Sequence, residues 1–268
     1  MSERSAIAIA AHPDDIEFTM GGTLALLREA GWRTHYLNIA NGSGGSLVHS
    51  AAALRKIRRR EAMQGAAILG AEFHESRVDD LEIVYSVPLL RWLVGIIRKV
   101  KPAIVLTHSP QDYMEDHTNA CRLAVTATFA RGIPNFPSAP RRERAWSGDA
   151  VVYHAMPHGQ CDQLRRRIAA GAFVDIGSVH EKKAAALACH QSQDGWLQAS
   201  QHMSSLVRDM TTVDRQRGRL SRKFQYAEGW RRHSHMGFGQ PGADPLGDAL
   251  GKKYLVNKAY ERALARAI

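Results

Sequence analysis

The sequence predicts an α/β fold, a doubly wound and mostly parallel sheet with a C-terminal helical and irregular extension. Three observations predict it. Two apolar runs, residues 6–10 (AIAIA) and 101–107 (KPAIVLT), each stop at a polar loop that carries histidine and aspartate. A long stretch of helical periodicity, residues 51–69, lies between them. Strand-like and helix-like segments alternate along most of the chain, the pattern of a parallel sheet covered on both faces.

The elements follow in order. The run 6–10 reads as a buried strand that delivers Ala11-His12-Pro13-Asp14-Asp15 at its carboxyl end, where open α/β sheets bind ligands. Gly21-Gly22-Thr23 opens a helix that Gly31 stops, and residues 33–40 form the second strand. The Gly/Ser stretch 41–46 lacks the Gly-Lys-Ser/Thr ending of a P-loop, so it reads as a loop over the site rather than a phosphate cradle. Residues 51–69 place Ile57, Glu61, Ala62, Ala66 and Leu69 at helical spacing before Gly70. A short strand is expected near 73–78, ahead of Asp79-Asp80, and a helix over 88–100. After the strand 101–107 comes the loop 108–117, then a helix over 118–129. Residues 131–147, rich in Pro and Arg, read as loop, and 150–155 and 172–176 as strands. Helices are expected over 179–190, 197–215 and 253–268, with 230–251 irregular. No linker interrupts the chain, so it reads as a single domain over 1–268, with a core of about 6–193 and an extension of about 194–268.

Composition narrows the class. Hydrophobic residues are 44% and charged residues 23%, which excludes a disordered chain. The start shows no secretory leader, and the most apolar window, 87–97, is broken by Arg91 and too short to span a bilayer. Three scattered cysteines, Cys121, Cys161 and Cys189, fit a reducing cytoplasm and neither a disulfide framework nor a thiolate zinc site. Cys121 and Cys189 sit among Ala and Leu and are expected to be buried packing groups. The net charge of +10 comes from Arg clusters with no aromatic-rich RNA motif or helix-turn-helix beside them, so they read as solvated helix faces and no nucleic-acid partner is expected.

The chemistry gathers at the two strand ends. His12 and Asp15, three apart across a tight turn, can face one point with Asp14 beside them, and His117 from the second loop completes a His-Asp-His set with open positions. Such a set suits catalytic zinc and equally a ferrous ion. The metal lowers the pKa of a water, and Asp14 is the base placed to take its proton. A capping aspartate in an ordinary turn is the plain alternative for His12-Pro13-Asp14-Asp15.

Those residues carry a resemblance. Ala11-His12-Pro13-Asp14-Asp15 followed by Gly21-Gly22-Thr23, then Arg58-Arg59-Arg60-Glu61-Ala62, Asp116-His117 and His190-Gln191-Ser192-Gln193, resemble the LmbE-like, or PIG-L, metal-dependent deacetylases over about residues 6–193. The resemblance implies a Rossmann-like fold and a zinc hydrolase that removes an N-acyl group from N-acetylglucosamine-type substrates. It assigns His12, Asp15 and His117 to the metal, Asp14 to the general base and Arg58 to the substrate. Asp116 becomes a residue of the substrate pocket that orients a neighbouring histidine. Homo-oligomers are common in that family. Many relatives carry a histidine three residues before the last ligand, and here that position is Met114, which cannot donate a proton. His158 and His154 are therefore the candidates for the catalytic acid, with His108 and Tyr113 as further groups able to touch the substrate or its oxyanion. The Met114 departure also leaves room for a non-sugar amide of mercapturate or antibiotic type, and a relative that kept the metal without catalysis is the remaining alternative.

Overall fold

The computed structural model describes residues 4–201 and 205–266, and the side chains of all of these except 194 and 198–201. Residues 1–3, the middle of the helix expected over 197–215 and the end of the last helix therefore lie outside the described residues. One sheet of eight strands organises the molecule: β1 (Ser5–Ala10), β2 (Arg33–Asn38), β3 (Glu72–His74), β4 (Ile104–Thr107), β5 (Val151–Ala155), β6 (Ala172–Asp175), β7 (Ala227–Arg232) and β8 (Tyr254–Val256). Their spatial order is β3-β2-β1-β4-β5-β7-β6-β8. The first five strands in that order run parallel, and β7, β6 and β8 add an antiparallel wing. The helices are α1 (Asp15–Thr19), α2 (Gly21–Glu29), α3 (Ala51–Leu69), α4 (Val87–Val100), α5 (Glu115–Phe129), α6 (His180–Leu187), α7 (Gln191–Gln201), α8 (Leu206–Ser221), α9 (Pro245–Leu250) and α10 (Lys258–Arg266).

The alternation in β1 builds two cores at once. Ala6, Ala8 and Ala10 face a cluster with Leu24, Leu27, Ala66 and Leu69 from α2 and α3, while Ile7 and Ile9 face Leu93, Val94, Ile97 and Leu123 from α4 and α5. A strand buried on both faces is the signature of a parallel sheet under helices on each side. Helix boundaries follow the caps: Ser50 accepts from the Ala53 N–H at the start of α3, and Gly70, at φ 75°, closes it in the left-handed region that glycine tolerates. The chain winds outward from β1 to β3 on one side and from β4 onward on the other. The switch point thus falls between β1 and β4, and both strands deliver their loops there.

Four expectations need correction. Helix α5 begins at Glu115, so Asp116 and His117 stand on its first turn rather than in the preceding loop. Residues 197–215 are two helices, α7 ending at Gln201 and α8 starting at Leu206. Strand β7 (Ala227–Arg232) reaches three residues into the stretch 230–251 expected to be irregular, and its buried Glu228 interrupts the apolar alternation that would have marked it. Strand β8 occupies the start of the expected last helix, which begins only at Lys258. Both β7 and β8, which lie beyond residue 193, pair within the main sheet.

Glu228 finds its partners at the N-terminus of α2, where the Gly22 and Thr23 N–H groups each donate to it at 2.8 Å. Lys183 Nζ sits 2.9 Å from Glu228 and 2.9 Å from Asp214, all three side chains fully buried. A Cβ at Gly22 would lie 2.6 Å from Ile176 Cγ2, so only glycine allows this approach. Cys121 is buried as expected, whereas Cys189 is partly exposed on the last turn before His190. Among the described residues no helix is long and apolar enough to cross a membrane.

Candidate metal and catalytic centre

The site starts with the turn after β1. His12 N–H donates to Asp15 Oδ2 at 2.7 Å, Asp15 N–H donates to the His12 carbonyl at 3.2 Å, and Asn38 Nδ2 donates to the same carbonyl at 2.5 Å. Closing this turn puts Asp14 at φ 107°, a conformation that costs a non-glycine residue about 1–3 kcal/mol. Asp14 nevertheless makes no side-chain cap to α1, which disposes of the capping-aspartate reading, and its carboxylate accepts no hydrogen bond among the described residues. Burial, with Asp15 beside it, pushes the Asp14 carboxyl up to about 7, against the pull of His190, Arg58 and His12.

His12, Asp15 and His117 offer donor atoms that all lie within 4.8 Å of one another. His12 Nδ1 is 3.5 Å and His117 Nε2 3.3 Å from the Asp15 carboxylate. The far nitrogen of each ring is held by another acid: Asp116 Oδ2 lies 2.9 Å from His12 Nε2, and Asp112 Oδ1 lies 3.0 Å from His117 Nδ1. This carboxylate-backed arrangement is how metal-ligating imidazoles are oriented. The set also favours positive charge. Against burial, Asp116 and Asp15 raise His12 to about 9, and Asp15 and Asp112 raise His117 to about 10. Burial opposes ionisation of Asp15, yet His117 and His108 hold it well below the usual carboxylate range. Two imidazoles, one carboxylate and a ring of backing acids fit a divalent cation of the borderline class.

His108 is a spacer in this cluster. It accepts the Ala11 N–H on Nε2 at 2.9 Å, lies 3.4 Å from Asp15 Oδ2 and stacks on His117 at 4.2 Å, and burial lowers its pKa. Arg58, buried on α3, reaches the cavity with Nη2 on the Gly45 carbonyl and Nη1 3.7 Å from Asp80, leaving Nε without a partner. Asp80 accepts the Gly42 and Gly44 N–H groups, so the Gly/Ser loop spends its donors on protein rather than on a phosphate. Tyr113, Met114 and His158 line the same cavity of about 420 Å³, with Phe18, Met156, Trp196, Leu197 and Leu206 as its apolar wall. His158 is exposed at its mouth, 5.5 Å from Phe18 and 6.0 Å from Tyr113 between ring centroids.

His154 is not brought to the cavity. It lies behind the loop after β4, with Nδ1 donating to the His108 carbonyl at 2.9 Å and Nε2 meeting His233 Nδ1 at 2.9 Å. Arg231, two residues earlier on the same stretch as His233, donates to Ser109 Oγ at 2.6 Å and Gln111 Oε1 at 3.1 Å. Asp112, Arg231 and His233 are therefore residues that sequence reasoning missed as supports of the site. Asp112 had a signal, standing five residues before His117. The other two are far along the chain and had none.

Two expectations follow from these contacts. Asp112→Ala removes the acceptor that orients His117 and is expected to weaken divalent-metal affinity about 10–100-fold, read by chelator competition. Unchanged affinity would show that the ring is held by its stack on His108 alone. Burial pushes His154 down to about 4 despite the His108 carbonyl. Its folded pKa lies below the ordinary value, so the stability tied to the neutral ring is complete above about 6.5 and is lost as pH falls toward 4, a term of up to about 3 kcal/mol. Urea midpoints measured from pH 7 to pH 4.5 should fall less steeply in His154→Gln than in the parent.

Comparison with known proteins agrees with the geometry. A family profile described as GlcNAc-PI de-N-acetylase, PIG-L, matches residues 7–128, which include every donor of the cluster. The chain is 31% identical over 200 residues to 4-oxalmesaconate hydratase of Pseudomonas putida, covering 72% of this chain and 75% of that one. It is 30% identical over 199 residues to diacetylchitobiose deacetylase of Thermococcus kodakarensis, covering 71% and 70%. The structure of N,N'-diacetylchitobiose deacetylase from Pyrococcus horikoshii superposes with a TM-score of 0.72 at 25% identity, covering 91% of this chain and 89% of that one. With residues 7–128 matched by the family profile and three quarters of a relative's length covered at 31% identity, this chain belongs to the PIG-L, or LmbE-like, family.

Proposed function

We propose that this protein is a metal-dependent amidohydrolase, an enzyme of carbon–nitrogen bonds other than peptide bonds, that removes the acetyl group from an N-acetylglucosamine-type substrate or conjugate. The observation that carries the reading is Asp14: a buried carboxylate free of hydrogen bonds, held in a strained backbone conformation beside the His-Asp-His cluster. Such a group has no structural task that explains its cost, and a general base is what the position offers. The deacetylases among its relatives support the same reaction class.

His12, Asp15 and His117 would hold the cation, for which zinc is the first choice and ferrous iron the second. A cation there supplies Lewis acidity, polarising the acyl carbonyl and acidifying a water. Asp14 takes the proton of the attacking water. His158 is the group able to protonate the departing amine, since Met114 carries no proton and His154 is turned away. Tyr113 can donate to the developing oxyanion, and Arg58 engages hydroxyl or anionic groups of the substrate. The apolar wall suits the C–H faces of a sugar and a nonpolar aglycone. Free cysteines and the absence of a membrane-crossing helix among the described residues fit a cytoplasmic enzyme.

A second reading, hydration of an unsaturated carboxylate, is favoured by the similarity to the Pseudomonas putida hydratase and by Met114. It ranks lower because, among the described residues lining the cavity, Arg58 is the one guanidinium placed to anchor a carboxylate away from the cation site, and a substrate with several carboxylates calls for more than one such anchor. Assay of free amine from N-acetylglucosamine, diacetylchitobiose and conjugates, with and without chelator, decides between the readings. Chelator-sensitive amine release supports deacetylation. No release from any amide by metal-loaded protein, together with loss of absorbance from a dienoic or enoic polycarboxylate, replaces it with hydration.

A further inference from the structure

A second histidine cluster lies on β2 and β3, at the sheet's edge and apart from the active site. In the parallel register His35 stands opposite Glu72, and Leu37 opposite His74. Side chains alternate between faces along a strand, so His35, Glu72 and His74 project to the same side. The sequence carries this as a strand histidine and a Glu-x-His pair, and neither the fold nor the proposed reaction makes use of them.

The contacts are close. His35 Nδ1 lies 3.0 Å from His74 Nε2 and 3.8 Å from Glu72 Oε2, and the three donor atoms all lie within 4.8 Å of one another. Around one ion with bonds of about 2.0–2.1 Å, tetrahedral donors stand about 3.4 Å apart, midway between these two separations. His35 is buried, His74 half-buried and Glu72 exposed, so the cluster opens to solvent along the edge strand. We propose that His35, Glu72 and His74 form a second divalent-metal site, with an open fourth position for water, that clips the edge strand β3 to β2.

The neighbours select the metal. Arg33 Nη2 donates to Glu72 Oε2 at 2.6 Å and offsets the one negative charge of the site, so the two imidazoles, not charge, decide which cation it holds. Magnesium and calcium are therefore excluded, and zinc, nickel or copper, whose bonds to imidazole are strong, are the ions that fit. The Glu72 oxygen that Arg33 holds, Oε2, is also the one 3.8 Å from His35, so the ion and Arg33 would share it. The site also has a route to the cavity. Strand β2 runs on into the loop of Gly44 and Gly45, and β3 runs on into Asp80, all three lining the cavity. An ion at the edge holds together the roots of those two loops.

The test is a count of ions. Full-length protein without a histidine tag is stripped of metal and titrated with zinc chloride, and separately with nickel chloride, by calorimetry. The parent is expected to bind two ions, His74→Ala one, and Asp15→Ala one. His74 is only half-buried, so His74→Ala is expected to fold. In the Asp15→Ala background zinc should raise the thermal midpoint, and adding His74→Ala should abolish that rise. Copper bound to Asp15→Ala should show two-nitrogen hyperfine structure that becomes one-nitrogen in the double variant. One ion in the parent and none in His74→Ala supports the edge site and counts against the catalytic one. The same number of ions in the parent and in His74→Ala overturns the proposal, whatever that number is.

Discussion

Asp14→Asn is expected to lower kcat by about 10²–10⁴ while leaving KM and metal content close to those of the parent. The substitution is nearly isosteric and removes only the basic carboxylate. Asn tolerates positive φ better than most residues, so the turn at φ 107° should survive. Asp14 is absent from the converging donors His12, Asp15 and His117, so the cation should still bind. A loss confined to kcat is the mark of a group that acts only in the transition state. Asp14→Gly separates the two costs at this position. It should be as inactive as the Asn variant yet at least as stable as the parent, because glycine adopts positive φ without strain. Turnover within tenfold of the parent in Asp14→Asn would remove Asp14 as the base and direct attention to His190, the charged neighbour that acts on it most strongly after Asp15.

The same turn shows how much of the molecule was legible beforehand. The strand at 6–10, the helix over 51–69 and the run at 101–107 could be read because each is a local pattern closed by a local signal: Pro13, Gly70, or the polar loop from His108. The convergence of His12, Asp15 and His117 was readable because two strand ends of a doubly wound sheet meet at its switch point. What failed was nonlocal. Glu228 and Lys183 look like surface charges in sequence, and only their mutual burial makes β7 a strand of the core. His154 looked like a candidate acid because it ends a strand next to β4, but side chains alternate, and its ring points behind the loop. Asp112, Arg231 and His233 support the site through contacts that no spacing announces.

The buried charges make the largest stability prediction. Lys183→Met is expected to destabilise the fold by about 3–5 kcal/mol, because it leaves Asp214 and Glu228 as buried carboxylates with their cation gone. The remaining groups are more distant: His180 Nε2 is 3.5 Å and Arg217 Nη1 3.9 Å from Asp214, and Glu228 keeps the two N–H groups of α2. A loss of that size is a large share of the 5–15 kcal/mol typical of a domain, and urea denaturation will read it directly. The companion variant Lys183→Met/Glu228→Gln removes one buried charge of each sign, leaves Asp214 with Arg217 beside it, and should recover part of the loss, since removing both members of a buried pair costs less than breaking it. The effect should reach the active site as well. Glu228 fixes the start of α2, which follows the turn that bears Asp14 after the short helix α1, and Arg231, three residues further along β7, holds Ser109 and Gln111 in the loop that carries Asp112. Metal affinity in Lys183→Met should therefore fall at denaturant concentrations where the protein is still folded by circular dichroism. If affinity and fold are lost together at one midpoint, β7 acts on the site only by keeping the whole sheet intact.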